Sequence, residues 1–261
     1  MDNKKLKSEN TKLVIAISSR ALFNLDQSHK IFKEKGIEAY AKHQQENEHV
    51  ILEPGVGFTL VKKLLKLNSK KTPIDVILLS RNSADTGLRI FNSIEHYDLN
   101  ISRAAFTRGE STHPFVGAFE ADLFLSSNYN DVQKALQSGY AAASIVESKS
   151  NNSHPSQLRI AFDGDAVIFS DESERIFQEK GLEAFHENEI LSEKIELKAG
   201  PFKSFLVSLQ KIQSTFPEED NPIRTALVTA RSAPSHRRVI HTMRKWGIRI
   251  DESFFLGGLE K

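Results

Sequence analysis

Apolar positions along the chain fall into two patterns. Nearly unbroken short runs, at residues 13–17, 76–79, 158–162 and 225–228, alternate too little for half-solvated strands. They predict strands of a parallel sheet that is covered on both faces. Longer stretches with apolar residues every third or fourth position, FTLVKKLLKL at 58–67 and FKSFLVSLQKI at 202–212, predict amphipathic helices. Strands alternating with helices in this way indicate βαβ units and an α/β fold. Charged segments that run up to Gly36 and Gly181 predict helices ending at those glycines, and short closing strands are expected near Phe106 and Phe255.

The same order of elements occurs twice. Residues 13–40 lie over 158–185 without a gap and with 13 of 28 positions identical. The match resumes at 52–64 against 197–209, each with a glycine (Gly55, Gly200) before its helix. It returns at PIDVILLSRNSA (73–84) against PIRTALVTARSA (222–233), and at Phe106 against Phe255. Such self-similarity implies two related halves in tandem. The polar stretch ESKSNNSHPSQ, 147–157, predicts a linker, which places the halves at 1–150 and 151–261.

Composition limits the chemistry more than the fold. Thirty-five Lys and Arg against 34 Asp and Glu leave a formal charge of +1, so no overall field favours nucleic acid or an anionic membrane. An anionic ligand must be caught locally. The absence of cysteine excludes thiolate catalysis, disulfides and Cys-containing metal sites, and it fits a reducing compartment. The opening MDNKKLKSENTK lacks the apolar centre of a signal peptide, and no run approaches the roughly 20 apolar residues of a membrane span. The expectation is a soluble, cytoplasmic protein with no membrane or nucleic-acid partner, its homo-oligomerisation left open. The nine histidines form neither HxH nor HExxH, and neither GxGxxG nor a Walker loop is present. The basic run 236–249 predicts a helix with its charges in solvent and an apolar side of Val239, Ile240, Met243 and Trp246.

Candidate chemistry gathers in the second half. Its first strand ends in Phe162-Asp163-Gly164-Asp165, and ligands of open parallel sheets bind beyond the carboxyl ends of strands. Two acids flanking a glycine there can face one cation or one phosphate. The second strand ends in Thr229, with Arg231 just beyond it as a candidate substrate contact. The third is followed by Gly257, Gly258 and Lys261. Acid pair, hydroxyl and lysine on successive strands resemble the haloacid dehalogenase superfamily of phosphohydrolases. The stretches AFDGDAVIFSDESERIFQEKGL, LVTARSA and FFLGGLEK, with AISSRALF and FNSIEHYDL in the first half, resemble the cytosolic 5'-nucleotidase family from about residue 12 to 261.

That resemblance implies two tandem haloacid-dehalogenase-like (Rossmannoid) halves with parallel sheets. It also implies Mg²⁺-dependent hydrolysis of AMP- or IMP-like nucleoside 5'-monophosphates through an aspartyl-phosphate. Asp163 matches the nucleophile, and Asp165 the acid that protonates the leaving oxygen and then activates water. Thr229 and Lys261 match the groups that hold the phosphoryl oxygens. Mg²⁺ is expected at Asp163 and Asp165, the latter through its backbone carbonyl.

At the corresponding places the first half carries Ser18-Ser19-Arg20, Ser80 and Thr112, so it reads as a degenerate, non-catalytic copy. Ser18, Ser19 and Arg20 are either plain structure or an anion site. The first half then runs on to a strand ending in Ser126 and Ser127. In the resembled family the equivalent strand of the second half ends in an acidic pair, which this sequence does not reach before Lys261. The expectation is a truncated catalytic half with impaired activity. Residues 170–198 read either as a cap over the substrate or as a solvated helix, and Phe177 and Phe185 either as base-stacking or as core residues. Two alternatives to the nucleotidase stay open: a catalytically silent nucleotide-binding protein, and a phosphatase of another small phosphomonoester.

Overall fold

A computed structural model describes residues 12–146 and 156–258. Most of the expected linker, 147–155, and the candidate Lys261 lie outside the described residues. Strands β1 (Leu13–Ser18), β2 (Ile74–Ser80), β3 (Arg103–Phe106), β4 (Leu123–Ser126) and β5 (Ala142–Ser144) form a parallel sheet in the order β3-β2-β1-β4-β5. Strands β6 (Leu158–Asp163), β7 (Ile223–Thr229) and β8 (Glu252–Phe255) form a second parallel sheet in the order β6-β7-β8. The helices are α1 (Ser19–Leu22), α2 (Asp26–Glu46), α3 (Phe58–Lys66), α4 (Leu88–His96), α5 (His113–Ala118), α6 (Tyr129–Gln137), α7 (Glu172–Leu191), α8 (Lys203–Gln213) and α9 (His236–Lys245).

Side-chain alternation explains the unbroken apolar runs of the first half. Leu13, Ile15 and Ile17 of β1, with Val76 and Leu78 of β2, enter one core, while Val14, Ala16, Ile77 and Leu79 enter another on the opposite face. Val116 of α5 and Val132 and Ala135 of α6 close that opposite face. The second sheet departs from the sequence expectation of a strand buried on both sides. Leu158 and Phe162 of β6 are buried, but Arg159 and Ala161 between them are exposed. The reason is the covering layer: among the described residues no counterparts of α5 and α6 stand behind β6.

One continuous core joins the halves, because Ile15, Ile17 and Val61 share it with Phe162, Phe205 and Leu209. The packing is reciprocal, with α3 of the first half against β6 and α8 of the second against β1. Polar contacts follow the same seam: Lys63 Nζ donates to the Gln157 carbonyl at 3.2 Å, and Ser208 Oγ donates to Asp122 Oδ1 at 3.2 Å.

Gly36 and Gly181 each interrupt a helix where the sequence suggests, but a second helical piece follows directly. Each sits at positive φ (81° and 82°) in the middle of a long helical excursion, α2 or α7, and breaks it into two pieces. The chain resumes a helix because a single left-handed residue redirects it without removing the helix formers on either side. Gly55 and Gly200 are needed for close approach: a Cβ on Gly55 would stand 2.8 Å from the Ala21 carbonyl oxygen, and one on Gly200 would clash with that of Val167.

Asp251 ties the start of β7 to α8. It accepts from Thr225 N (2.8 Å), Thr225 Oγ1 (3.0 Å), Gln213 Nε2 (2.7 Å) and Arg249 Nη2 (2.9 Å). Burial alone would raise its pKa, but the Thr225 amide, Arg249 and the other donors outweigh it and hold the carboxyl below its ordinary 3.8. A depressed folded-state pKa contributes stability in full above the unfolded value, and that contribution is lost as pH falls through the folded value. Asp251→Asn is therefore expected to cost about 1–3 kcal/mol at pH 7, with the gap to wild type narrowing only below about pH 4. Urea unfolding of both proteins at several pH values checks this; a gap that closes already between pH 7 and 5 would contradict it.

Candidate active site

Asp163 closes β6 in register with Val228 of β7, half-buried and with extended backbone. The turn that follows is one residue wider than its counterpart after β1. There Phe23 N donates to the Ser19 carbonyl, whereas here Phe169 N donates to the Gly164 carbonyl. The extra residue is taken up by Asp165, extended at φ −75°, and Ala166, left-handed at φ 61°. A left-handed alanine costs about 1–2 kcal/mol, and such cost is characteristic of sites that hold a side chain in place. Here the side chain so placed is that of Asp165.

Asp165 meets Thr229 and Arg231 at the end of β7. Thr229 Oγ1 donates to Asp165 Oδ2 at 3.3 Å, and Arg231 grips the carboxylate through Nη2 to Oδ1 (2.7 Å) and Nε to Oδ2 (3.0 Å). Thr229 Oγ1 also accepts from Arg231 N at 3.2 Å and is fully buried. The structure thus brings Asp163, Asp165, Thr229 and Arg231 to one corner. It also places Arg231 beneath that corner rather than facing solvent: the residue is 3 % exposed, its Nη1 donates to Glu189 Oε2, and the guanidinium lies 5.4 Å from the Phe185 ring centroid. Burial pulls the Arg231 pKa down, but Asp165 and Glu189 outweigh it and hold it above the ordinary guanidinium value.

Glu189, which the sequence did not single out, anchors this corner from below. It comes from α7, is buried, and accepts through Oε1 from Arg238 Nη1 (2.9 Å) and Ser173 Oγ (2.9 Å). Arg238 corrects the expectation for the basic run: this arginine of α9 points inward, its charge met by Glu189 and its Nε donating to the Ile195 carbonyl at 2.8 Å. Val239 and Met243 are buried as expected, while Ile240 is 36 % exposed, because the inward face of α9 is set by residues 238, 239, 242 and 243. Phe185 is buried under Arg231, and Phe177 is half-exposed and meets Phe185 edge-on at 6.4 Å.

The first half repeats this network with neutral residues at the positions of Glu189 and Arg231 and with one arginine, Arg89, retained. Gln44 stands where Glu189 does, accepting from Ser28 Oγ (3.4 Å) and Arg89 Nη1 (3.2 Å). Arg89 Nε donates to the Val50 carbonyl at 2.8 Å as Arg238 does to Ile195. Leu52 N donates to Ser93 Oγ, as Leu197 N does to Thr242 Oγ1, both at 3.0 Å. Asn82 stands in place of Arg231 and accepts from Tyr40 Oη at 2.9 Å, with Tyr40 where the second half has Phe185. With only neutral acceptors around it, Arg89 is pulled below the ordinary guanidinium value by burial. A signal was present in the sequence alignment of the halves: Gln44 against Glu189 and Asn82 against Arg231 change charge together.

A sequence model of the 5'-nucleotidase family matches residues 5–261. Cytosolic 5'-nucleotidase 1B of Homo sapiens is 40% identical over 263 aligned residues, which cover 95% of this chain and 43% of the human protein. The chain spans less than half the length of that curated relative. No solved structure matches it.

Proposed function

The chain belongs to the 5'-nucleotidase family, and from that premise we propose that it hydrolyses AMP- or IMP-like nucleoside 5'-monophosphates at the corner formed by Asp163, Asp165 and Thr229. The observation that carries this is the convergence of both acids of Asp163-Gly164-Asp165 with Thr229 at the carboxyl ends of β6 and β7, where open α/β sheets bind ligands. The tandem, haloacid-dehalogenase-like character of the halves is part of the same proposal. Support comes from the hydrogen bonds that recur at matching positions and from strand order, since β6-β7-β8 follows the order of β1-β2-β3.

In the proposed reaction a carboxylate oxygen of Asp163 attacks phosphorus, and the bond from phosphorus to the 5'-oxygen breaks as that oxygen takes a proton from Asp165. Water then gives a proton to Asp165 and attacks the aspartyl-phosphate, whose acyl oxygen leaves as the Asp163 carboxylate with release of inorganic phosphate. Thr229 and Lys261 are assigned to the phosphoryl oxygens. Asp163 and the Asp165 carbonyl offer hard oxygen donors of the kind Mg²⁺ accepts alongside waters and a phosphate. Among the described residues no group of three or more acidic or histidine ligands gathers. When bound, the ion would offset charge on the phosphate. Arg231 is a positioning residue: it fixes the carboxylate of Asp165 through two nitrogens while Glu189 anchors its far edge.

Release of inorganic phosphate from AMP by the full chain, with Mg²⁺ and with a chelator, tests the proposal, and a panel of sugar phosphates separates a nucleotidase from a general phosphatase. Binding of AMP with no phosphate release would favour the silent nucleotide-binding alternative. Replacing Arg231 with Lys removes the fork that spans Asp165 and Glu189. About a 10- to 100-fold fall in kcat with little change in KM is expected of a second-layer group. A raised KM at unchanged kcat would instead make Arg231 a substrate contact. Among the described residues no helix is long and apolar enough to cross a membrane.

A further inference from the structure

A sizeable cleft lies on the first half rather than beside Asp163. It has a volume of about 870 Å³ and opens over the carboxyl ends of β1, β2 and β4, with α2 as its far wall. In the sheet order β3-β2-β1-β4-β5 the chain proceeds from β1 toward β2 on one side and later returns to β4 on the other. The gap between β1 and β4 is therefore the switch point at which open α/β sheets hold ligands. Ser18 and Ser19 face Ser126 and Ser127 across it, and Ser127 N donates to Ser18 Oγ at 3.3 Å.

The lining is not catalytic, since serines and an arginine occupy the places that Asp163, Gly164 and Asp165 hold in the second half. It does suit an anion. Among the described residues Arg20 is held only by an exposed pair with Asp26 at 2.9 Å, of a kind worth little in water. Arg108 also lines the cleft and makes no ion pair among the described residues. The third arginine, Arg81, is committed: it binds Asp131 through Nε (2.9 Å) and Nη2 (2.7 Å), which neutralises the buried carboxylate. Asn82, at the same wall, keeps a buried Nδ2 with no acceptor among the described residues.

The other end of the cleft suits a flat ring. Phe32 of α2 is 46 % exposed although it lines the cleft, with His29 stacked on it at 6.3 Å and Tyr40 edge-on at 6.0 Å. Burial, then the charges of Arg20 and Lys33, hold the pKa of His29 below its ordinary 6.5, so the ring is neutral at pH 7. Ile37, on the second piece of α2, is exposed on the same lining. Glu38 and Asp85 line it too, acceptors suited to sugar hydroxyls rather than to phosphate. The volume far exceeds what a bare phosphate needs and falls within the range of small-molecule sites.

We infer that this cleft is a second, non-hydrolytic site for a nucleoside phosphate, with the phosphate held by Arg20 and Arg108 beside the serines and the base laid against Phe32 of α2. The inference stands apart from hydrolysis at Asp163, because it uses none of that machinery. Hydrogen exchange of the full chain carrying Asp163→Asn, so that added AMP persists, locates the ligand. AMP is expected to slow exchange across α2 and residues 81–86. That protection should fall at least tenfold in apparent affinity in Arg20→Ala/Arg108→Ala, and also in Phe32→Ala, which removes an exposed ring and leaves the fold intact. Inorganic phosphate and adenosine, added separately, should each protect α2 far less than AMP. Protection confined to α7, protection of α2 that survives both sets of substitutions, or no protection at all would overturn the inference. Phosphate matching AMP would overturn its nucleoside part. Phosphate release from AMP by the arginine and phenylalanine variants, made with Asp163 intact, should stay within about threefold of wild type, and its failure in every protein would bear on the hydrolytic proposal alone.

Discussion

Asp163→Asn is expected to lower phosphate release from AMP by about 10⁴-fold or more while leaving AMP affinity within a few-fold of wild type. The substitution preserves shape but replaces a carboxylate with an amide, which cannot displace an alkoxide from phosphorus to give an aspartyl-phosphate. Its half-buried position at the end of β6 keeps the structural cost small, since the strand register to β7 is carried by backbone bonds. AMP labelled in its phosphate gives a second readout. Acid quenching should trap label on the wild-type chain and none on Asp163→Asn. Asp165→Asn should also stop turnover while sparing binding, because the amide neither donates the proton at the departing oxygen nor accepts one from water. Near-normal turnover in Asp163→Asn would remove the covalent mechanism.

The second large effect concerns stability. Glu189→Ala removes the carboxylate that Arg231 and Arg238 share, leaving two guanidinium groups in the interior, one of them with no other carboxylate in contact among the described residues. Breaking a buried ion pair by deleting one partner costs about 3–5 kcal/mol, a large part of a typical folding free energy of about 5–15 kcal/mol. Glu189→Gln should cost clearly less. An amide oxygen can still accept from Ser173 and Arg238, as Gln44 does from Ser28 and Arg89 in the first half. Chemical denaturation of the three proteins orders them, and equal midpoints for all three would show that Glu189 bears no such load. A Glu189→Gln protein that folds well but turns over slowly would link the buried network to the placement of Asp165 through Arg231.

What the sequence by itself determined was whatever depends on local pattern and covalent order. The apolar runs located the strands, the repeat predicted that the second sheet would follow the plan of the first, and Asp163-Gly164-Asp165 marked the end of β6 as the place for chemistry. Pattern could not say how many layers cover a sheet. The run at 158–162 looks like that at 13–17, yet only the latter has α5 and α6 behind it, so Arg159 and Ala161 meet solvent. The fates of charged side chains were also decided in three dimensions. Arg238 reads as one more exposed cation in a basic run, and Glu189 as one more acid on a charged helix. Arg238 is buried because Glu189, about fifty residues away, supplies the opposite charge at 2.9 Å, and Glu189 because Arg238 and Arg231 both meet it. Burial of a charge is affordable only with such a partner, and partners are chosen by the packing of α7 against α9 at the end of β7. The cleft over Ser18 and Arg20 likewise exists because β4 returns beside β1 and α2 bends at Gly36, two arrangements that tertiary structure alone brings together.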